Sequence, residues 1–219
     1  MTLGQVFREW YACSRQRRRE GREDAAIERR VIDPETARRI KLVGFDVDGV
    51  LTDAGVYTGM ACNQPVELKR FDTQDGVGMR LLRESGLKTA IVSGRMSRAT
   101  ALKAEELEID EVFQDDGAQK LSAFEEILAR HGLSWEETAF VGDDLPDLPL
   151  LTRVGLPVAV RNAVPEVRDV AIYVTKMPGG RGAVREFIEA LLRARGEWEA
   201  AVERYVHARG GAPGLINAS

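Results

Sequence analysis

The sequence predicts an α/β fold, a Rossmann-like three-layer sandwich with a mostly parallel sheet and a β-hairpin flap after the first strand. From residue 75 onward, short apolar runs alternate with segments whose apolar residues recur at helical spacing. The short runs are apolar throughout, which is typical of strands buried on both faces of a parallel sheet. Alternating strands and helices of this kind pack as right-handed units with helices covering both faces.

Composition indicates one globular domain with appendages. Of the 219 residues, 44% are hydrophobic and 30% are charged, which is ordinary for a protein that buries a core. The formal net charge of −4 provides no basic field, so we expect no nucleic-acid partner. No run of about 18 apolar residues occurs, so no membrane span is expected. The first residues lack the apolar core of a signal peptide, which leaves the cytoplasm as the expected location.

Cysteine and histidine usage narrows the chemistry. Cys13 and Cys62 lie far apart and outside any C-x-x-C spacing. This pattern disfavours a disulfide scaffold and a zinc site, and it favours a reducing compartment. The only two histidines, His131 and His207, provide little material for a histidine-based nucleophilic triad.

Three segments are predicted along the chain: a basic N-terminal extension (1–32), an α/β domain (33–206) and a flexible C-terminal tail (207–219). The extension contains SRQRRREGRED, whose interleaved charges are typical of a solvated helix or a disordered segment. A nucleic-acid-binding arm is the alternative interpretation. Asp33, Pro34 and Glu35 predict a helix N-cap, a proline at the first helical position and a first-turn acid.

The segment 41–53, KLVGFDVDGVLTD, contains the first candidate site. An apolar run over 42–45 predicts a buried strand, and Asp46 and Asp48 follow where that strand ends. Gly49 then permits a sharp exit of the backbone. A D-x-D pair alone is also common as a turn or a cap. Because chemistry in an open α/β sheet lies at the carboxyl ends of strands, we interpret this pair as functional.

A β-hairpin is predicted directly behind this strand. Segments 55–58 and 66–71 are β-like, and the stretch between them contains Gly59, Asn63 and Pro65. The hairpin is too small to be a domain. We expect it to lie over the carboxyl edge of the sheet, as a flap or an assembly surface.

The rest of the chain alternates helix and strand. Helices are expected at 76–85, 97–107 and 117–130, near 148–153, from 165, and from 181 with a break at Gly196. Strands are expected at 87–92, 111–113, 138–141, 156–160 and 171–174.

Polar residues follow several of these strands. They are Asp46 and Asp48, then Ser93, Gly94 and Arg95, then Lys120 at a helix start, and finally Asp143, Asp144 and Asp147. Parallel strands present their carboxyl ends along one edge, so these groups can converge. Crowded carboxylates repel unless a cation neutralises them, and Mg²⁺ suits such a site. A hydroxyl, backbone N–H groups and an ammonium opposite the metal would form a clamp for phosphoryl transfer.

Taken together, DVDGVLTD, SGR, Lys120 and GDDLPDLP resemble the four motifs of the haloacid-dehalogenase-like phosphohydrolases, over about residues 38–195. More narrowly, DVDGVLTDAG, FDTQDGVGMRLL, VGDDLPDLPLL and GGRGAVREF resemble the small, cap-less branch of 3-deoxy-D-manno-octulosonate 8-phosphate phosphatases. The resemblance implies a Mg²⁺-dependent phosphatase of a sugar acid phosphate that feeds lipopolysaccharide synthesis. It also implies a homotetramer assembled through the hairpin.

The resemblance further implies roles for the acidic residues. Asp46 would be the nucleophile that forms an aspartyl-phosphate. Asp48 would protonate the leaving sugar oxygen and then activate water. Mg²⁺ would be bound by Asp46, by the backbone carbonyl of Asp48 and by Asp143, with Asp144 and Asp147 supporting those ligands.

The remaining implied roles concern the substrate. Ser93 and Lys120 would hold the phosphoryl group. Gly94 and Arg95 would flank it, with Arg95 contacting the carboxylate of the sugar acid. Arg181, in a glycine-rich loop, would reach the active site of a neighbouring subunit.

The chain departs from this family pattern at two places inside the domain. Many members have arginine where this chain has Gln74, and Asp115 and Asp116 add two acids before Lys120. The alternative substrate is a nine-carbon sugar acid 9-phosphate, N-acylneuraminate or its deaminated analogue. A non-catalytic relative is disfavoured because no acidic or lysine residue of the motifs is missing. A D-x-D glycosyltransferase would not explain the serine, the lysine and the G-D-D together.

Overall fold

A computed structural model of the chain describes residues 31–117 and 119–212. Within them, six strands form one sheet in which every neighbouring pair is parallel, and two form an antiparallel hairpin. The sheet contains β1 (Leu42–Phe45), β4 (Lys88–Ser93), β5 (Glu111–Gln114), β6 (Thr138–Gly142), β7 (Leu156–Ala159) and β8 (Tyr173–Val174), and the hairpin contains β2 (Thr52–Ala61) and β3 (Gln64–Phe71). The predicted fold class is confirmed.

Eight helices lie in the described ranges: α1 (Pro34–Arg39), α2 (Thr73–Glu84), α3 (Arg98–Glu106), α4 (Lys120–His131), α5 (Leu148–Leu151), α6 (Pro165–Val170), α7 (Ala183–Arg195) and α8 (Trp198–His207). Helices α1, α2, α7 and α8 pack on one another, as do α4, α5 and α6. Helices therefore cover both faces of the sheet. Asp33 caps α1 by accepting a hydrogen bond from the Thr36 N–H at 2.8 Å.

Strand order places the carboxyl end of β1 at the centre of the sheet. The order is β5-β4-β1-β6-β7-β8, so the chain builds outward on one side of β1 and then returns to build on the other. Every residue of β1 and β6 is buried. The reversal leaves a crevice beyond the carboxyl ends of the two strands, where ligands bind in open α/β sheets.

The hairpin leaves the sheet through an irregular turn at Val47–Leu51. The Thr52 hydroxyl closes this turn by donating to the Val47 carbonyl at 3.2 Å. At the far end, Cys62 and Asn63 both have positive φ, as expected of a two-residue hairpin loop with this twist. The hairpin exposes Tyr57, Met60 and Leu68 to solvent.

Most predicted elements lie within a few residues of the observed ones, with two differences. Helix α4 begins at Lys120 rather than residue 117. The helix expected near 148–153 is a 3₁₀ turn at Leu145–Asp147 followed by one short α-turn, α5. Pro146 and Pro149 lie in the first turns of these two pieces, where the missing N–H needs no partner, but Pro149 could not donate within a single helix that continued from the 3₁₀ turn. The predicted break at Gly196 separates α7 from α8.

The predicted terminal segments are only partly described. Of the predicted extension 1–32, only residues 31 and 32 are described, and Ile32 is buried in the core. The rest of that prediction, and residues 213–219 of the predicted tail, lie outside the described residues. No helix in the described ranges is long and apolar enough to cross a membrane.

A buried carboxylate joins α2 to the start of α7. Asp75 is 2% exposed and accepts hydrogen bonds from the Arg185 N–H at 2.8 Å and the Gly182 N–H at 3.4 Å. Burial raises the pKa of Asp75 to about 6, against the lowering effect of these N–H donors, and the nearby Asp72 charge adds to the rise.

We expect Asp75→Asn to change how stability depends on pH. The pKa of Asp75 is higher in the folded chain than its ordinary value of 3.8. Its stabilising contribution is therefore present below about pH 4 and is lost as pH rises through 6. Between pH 4.5 and 7.5, the free energy of unfolding of the wild type should fall relative to the variant, by at most roughly 3 kcal/mol. Urea unfolding across this range measures the difference.

Asp169→Asn is the matched control, because Asp169 is an exposed aspartate on α6. Its unfolding free energy should follow the wild type at each pH. Parallel curves for wild type and Asp75→Asn would contradict the expectation.

Candidate active site

The candidate site lies beyond the carboxyl ends of β1, β4 and β6. Asp46 follows β1, Ser93 ends β4, and Asp143 follows β6. Lys120, the first residue of α4, reaches the same edge. The structure therefore brings together residues that the sequence predicts from separate strand ends.

Lys120 forms the centre of the site. Its Nζ donates to Asp46 Oδ1 and to Asp147 Oδ1, each at 2.7 Å. All three side chains are at most 9% exposed. Burial acts to lower the pKa of Lys120, but the charges of Asp147 and Asp46 outweigh it and raise that pKa above its ordinary value. The ammonium therefore stays charged between its two carboxylates.

The pKa of Asp46 is also shifted by burial and by its charged neighbours. Burial raises its pKa to about 7, the charge of Asp147 adds to the rise, and Lys120 opposes it. Its backbone N–H donates to the Val141 carbonyl at 3.0 Å. This bond extends the β1–β6 pairing by one residue and fixes the position of Asp46 against β6.

Asp147 is fully engaged by the protein. Its Oδ1 binds Lys120, while its Oδ2 accepts from the N–H groups of Asp143 at 2.9 Å and Asp144 at 3.3 Å. Asp147 thus orients both the lysine and the backbone that carries Asp143.

Asp143 has spare acceptor capacity. Its Oδ1 is buried and has no hydrogen-bond partner. Burial raises the pKa of Asp143 to about 8, and the charges of Asp46 and Asp147 add to the rise. An orphaned buried carboxylate oxygen beside other carboxylates is what a bound cation would satisfy.

The donor set fits a hard divalent cation. One oxygen from each of Asp46, Asp143 and Asp147 lies within 4.8 Å of the others. Because both oxygens of Asp147 are already engaged, Asp46 and Asp143 are the side chains left to ligate. When the three acids are ionised, Lys120 balances one of their charges and two negative charges remain. Mg²⁺ accepts one or two carboxylates and completes its shell with water and phosphate oxygens.

Gly49 allows the approach of Asp143. A Cβ at Gly49 would lie 2.0 Å from Asp143 Oδ2, and the φ of Gly49 is +104°. Both the backbone angle and the space exclude a side chain here.

Asp48 is engaged by the hairpin. Its Oδ2 accepts from Lys69 Nζ at 2.9 Å. Sequence reasoning missed Lys69, because alternation in a short hairpin strand does not indicate which residues turn inward.

The loop after β4 is also tied to the hairpin. Ser93 is buried, and its hydroxyl contacts the backbone of Arg95 at 3.2–3.3 Å. The Arg95 guanidinium is paired with the Glu67 carboxylate of β3. Gly94, between them, is partly buried.

Two predicted residues lie further out. Asp144 is exposed, and its carboxylate accepts from the Leu145 N–H at 2.7 Å, which caps the 3₁₀ turn. Arg181 is exposed and lies 3.5 Å from Asp53 Oδ2 of the same chain.

Asn162 is a second residue that sequence reasoning missed. Its amide donates to the Gly49 carbonyl at 3.3 Å and accepts from the Gly179 N–H at 2.7 Å. A Cβ at Gly179 would lie 1.7 Å from the Gly49 carbonyl oxygen. Asn162 and Gly179 thus hold the glycine loop, residues 179–182, against the turn that follows Asp48. The glycine pair at 179–180 was the available signal of a close backbone approach.

The fold and the site together define a class of protein. An open α/β sheet whose carboxyl edge holds a buried lysine between aspartates, beside a cation-binding carboxylate, is the arrangement of a phosphoryl-transfer enzyme.

Comparisons with known proteins agree. A family profile described as haloacid dehalogenase-like hydrolase matches residues 111–188. The 3-deoxy-D-manno-octulosonate 8-phosphate phosphatase KdsC of Yersinia pestis is 42% identical over 165 residues, which is 75% of this chain and 86% of that protein.

Solved structures show the same similarity. The crystal structure of the Yersinia pestis phosphatase has a TM-score of 0.71 at 41% identity, covering 76% of this chain and 88% of that one. The crystal structure of the Moraxella catarrhalis phosphatase, in complex with a magnesium ion, a phosphate ion and a KDO molecule, has a TM-score of 0.73 at 35% identity. It covers 78% of this chain and 97% of that one. The chain therefore belongs to the haloacid dehalogenase-like hydrolases, in the branch of the 3-deoxy-D-manno-octulosonate 8-phosphate phosphatases, and it is a phosphatase.

We expect Gly49→Ala to weaken cation binding. The added methyl would strain a backbone at φ +104° and displace the Asp143 carboxylate. Loss of a correctly oriented ligand should weaken Mg²⁺ binding by about tenfold or more, measured by isothermal titration calorimetry.

Gly59→Ala is the matched control, because a Cβ at Gly59 would meet nothing within 4 Å. It should bind Mg²⁺ as the wild type does. Equal affinities for Gly49→Ala and the wild type would show that the Asp143 position does not govern cation binding.

Proposed function

We propose that the protein hydrolyses 3-deoxy-D-manno-octulosonate 8-phosphate to the free sugar acid and phosphate, through an aspartyl-phosphate on Asp46 and with Mg²⁺ as cofactor. The observation that carries the proposal is the buried pairing of Lys120 with Asp46, beside the unpartnered oxygen of Asp143. The names of the similar phosphatases support the choice of substrate.

Asp46 is the nucleophile in this proposal. Lys120 holds Oδ1 at 2.7 Å, which fixes the carboxylate in one orientation at the carboxyl end of β1. A fixed carboxylate facing the phosphorus atom needs little reorganisation to attack it. Mg²⁺, when bound by Asp46 and Asp143 with the Asp48 carbonyl, supplies positive charge that keeps the carboxylates ionised and stabilises the transferring phosphoryl group.

Asp48 is the general acid and base. It gives a proton to the sugar oxygen as the ester bond breaks, and then takes a proton from the water that attacks the aspartyl-phosphate. Asp48 follows Asp46 by two residues, and its side chain is partly buried at the edge of the hairpin.

The phosphoryl group would be held by Ser93 and Lys120. The Ser93 hydroxyl lies at the end of β4 with backbone contacts at 3.2 Å or longer, so it can turn to a phosphate oxygen. Gly94 would bring its backbone close to the same group. Arg95 would contact the sugar carboxylate, and its present partner, Glu67, holds it on the hairpin side of the site. Asp144 would support the metal site through the turn that it caps.

Assembly and location stay predictions from the family resemblance. In a homotetramer formed through the hairpin, the exposed Arg181 would act at a neighbouring subunit's site. The exposed side chains of Tyr57, Met60 and Leu68 would lie in that interface. We expect the enzyme to work in the cytoplasm, in lipopolysaccharide synthesis.

A second substrate is favoured by one departure. Gln74, where many family members have arginine, lies beside the glycine loop, with its Oε1 3.7 Å from the position of a Cβ on Gly182. This difference from the family pattern bears on the choice of substrate and leaves the chemistry of the aspartates unchanged. The alternative substrate is a nine-carbon sugar acid 9-phosphate, N-acylneuraminate or its deaminated analogue.

Phosphate release from a panel of sugar phosphates, with Mg²⁺ or with a chelator, tests the proposal. We expect the eight-carbon 8-phosphate to give the highest kcat/KM, and the chelator to abolish turnover. Comparable turnover of the nine-carbon 9-phosphates would favour the alternative substrate. No phosphate release from any sugar phosphate would refute a sugar-phosphate phosphatase.

Asp46→Asn tests the covalent route. The amide is a poor nucleophile, so we expect kcat to fall by at least about a thousandfold, while circular dichroism shows an intact fold. Asp169→Asn, on the exposed side of α6, should keep wild-type turnover. Substantial activity in Asp46→Asn would sink the aspartyl-phosphate mechanism.

A further inference from the structure

A buried lysine of the hairpin contacts the proposed acid and base. Lys69 belongs to β3, and its side chain is 0% exposed. Its Nζ donates to Asp48 Oδ2 at 2.9 Å and lies 2.8 Å from Oδ1. The same nitrogen donates to Thr100 Oγ1 at 3.3 Å. The ammonium therefore hydrogen-bonds Oδ2 and has a further partner behind it, whereas Oδ1 is close to the ammonium but has no hydrogen-bond partner.

The position of Lys69 is set by how β3 docks. Glu67, two residues earlier, lies on the same face of the strand. Its carboxylate pairs with Arg95 and accepts from the Ser97 hydroxyl. Arg70 donates to the Gly180 carbonyl. The hairpin is thus fastened to the loop after β4 and to the glycine loop, with Lys69 between these contacts.

Burying a lysine is expensive unless its partner is well placed. Transfer of an ammonium out of water costs several kcal/mol, and pairing offsets that cost only when the geometry is good. Apolar residues on this face of β3 would be enough to hold the hairpin in place. Here the charge is directed at Asp48, whose own position decides where a proton can be delivered.

We propose that Lys69 is a positioning residue for Asp48, so that the docked hairpin holds the proton-transfer group of the reaction in place. The proposal rests on the proposed function. An unrestrained aspartate samples several rotamers, whereas the contact with a fixed ammonium selects one. Proton transfer to the leaving oxygen depends on this geometry.

Comparing substrates with different leaving groups distinguishes positioning of Asp48 from a merely structural role, because a structural defect would lower kcat/KM on both substrates alike. An alkyl phosphate such as the sugar phosphate must have its leaving oxygen protonated. p-Nitrophenyl phosphate releases a stable phenolate and needs no such proton. Since kcat/KM reports the steps through loss of the leaving group, misplacing Asp48 should affect the alkyl ester selectively.

The experiment compares Lys69→Met with the wild type on both substrates, with Mg²⁺ present. Methionine keeps most of the apolar stem and removes the charge. We expect kcat/KM to fall at least about tenfold on the sugar phosphate and less than about threefold on p-nitrophenyl phosphate. Lys88→Met is the matched control, because Lys88 starts β4 at the opposite edge of the sheet. It should keep wild-type values on both substrates.

Thr100→Val provides a second, milder variant should Lys69→Met fail to fold. It removes the hydroxyl behind Lys69 and keeps the side-chain shape, so a smaller loss with the same substrate selectivity is expected. Equal losses on both substrates, or a rise in KM with kcat unchanged, would overturn the positioning role. A wild type inactive on both substrates would instead overturn the proposed function itself.

Discussion

The site depends on one buried ammonium between two carboxylates. Without Lys120, Asp46 and Asp147 would be like charges held together out of water, an arrangement that a protein tolerates only at considerable cost. With it, β1, β6 and α4 are fixed at one point, because the three groups come from these elements or the turn that follows them. The excess negative charge that remains gives the edge its affinity for a cation. The same group of charged side chains thus holds these elements together and attracts the cation.

Close backbone approach is the second constraint. Asp143 comes near the turn after Asp48 only because residue 49 has no side chain, and the glycine loop lies on the same turn only because residue 179 has none. Asn162 fastens these two segments through its amide. The turn is therefore held from several directions although its own backbone is irregular. Such support restrains the backbone that carries Asp48, the residue that we propose for proton transfer.

The sequence predicted the place of a residue in the fold wherever a local pattern of residues determines that place. Apolar runs mark buried strands, and parallel strands share a carboxyl edge, so the convergence of Asp46, Ser93, Lys120 and Asp143 followed from their places in the chain. Contacts that depend on docking were not accessible in this way. Lys69 and Glu67 lie in a hairpin strand that has no local sign of which face turns inward, and their partners lie in other segments. Asn162 likewise belongs to a loop whose role depends on two distant turns.

Asp46 and Lys120 are 74 residues apart, and Arg70 reaches a carbonyl 110 residues away. A chain that ends at β5 contains the D-x-D segment and the hairpin, but it contains neither Lys120 nor β6. Nothing resembling the finished site can form until the second half of the sheet has docked. Because the site takes residues from both halves of the sheet, turnover reports on completion of the whole domain rather than on any of its parts.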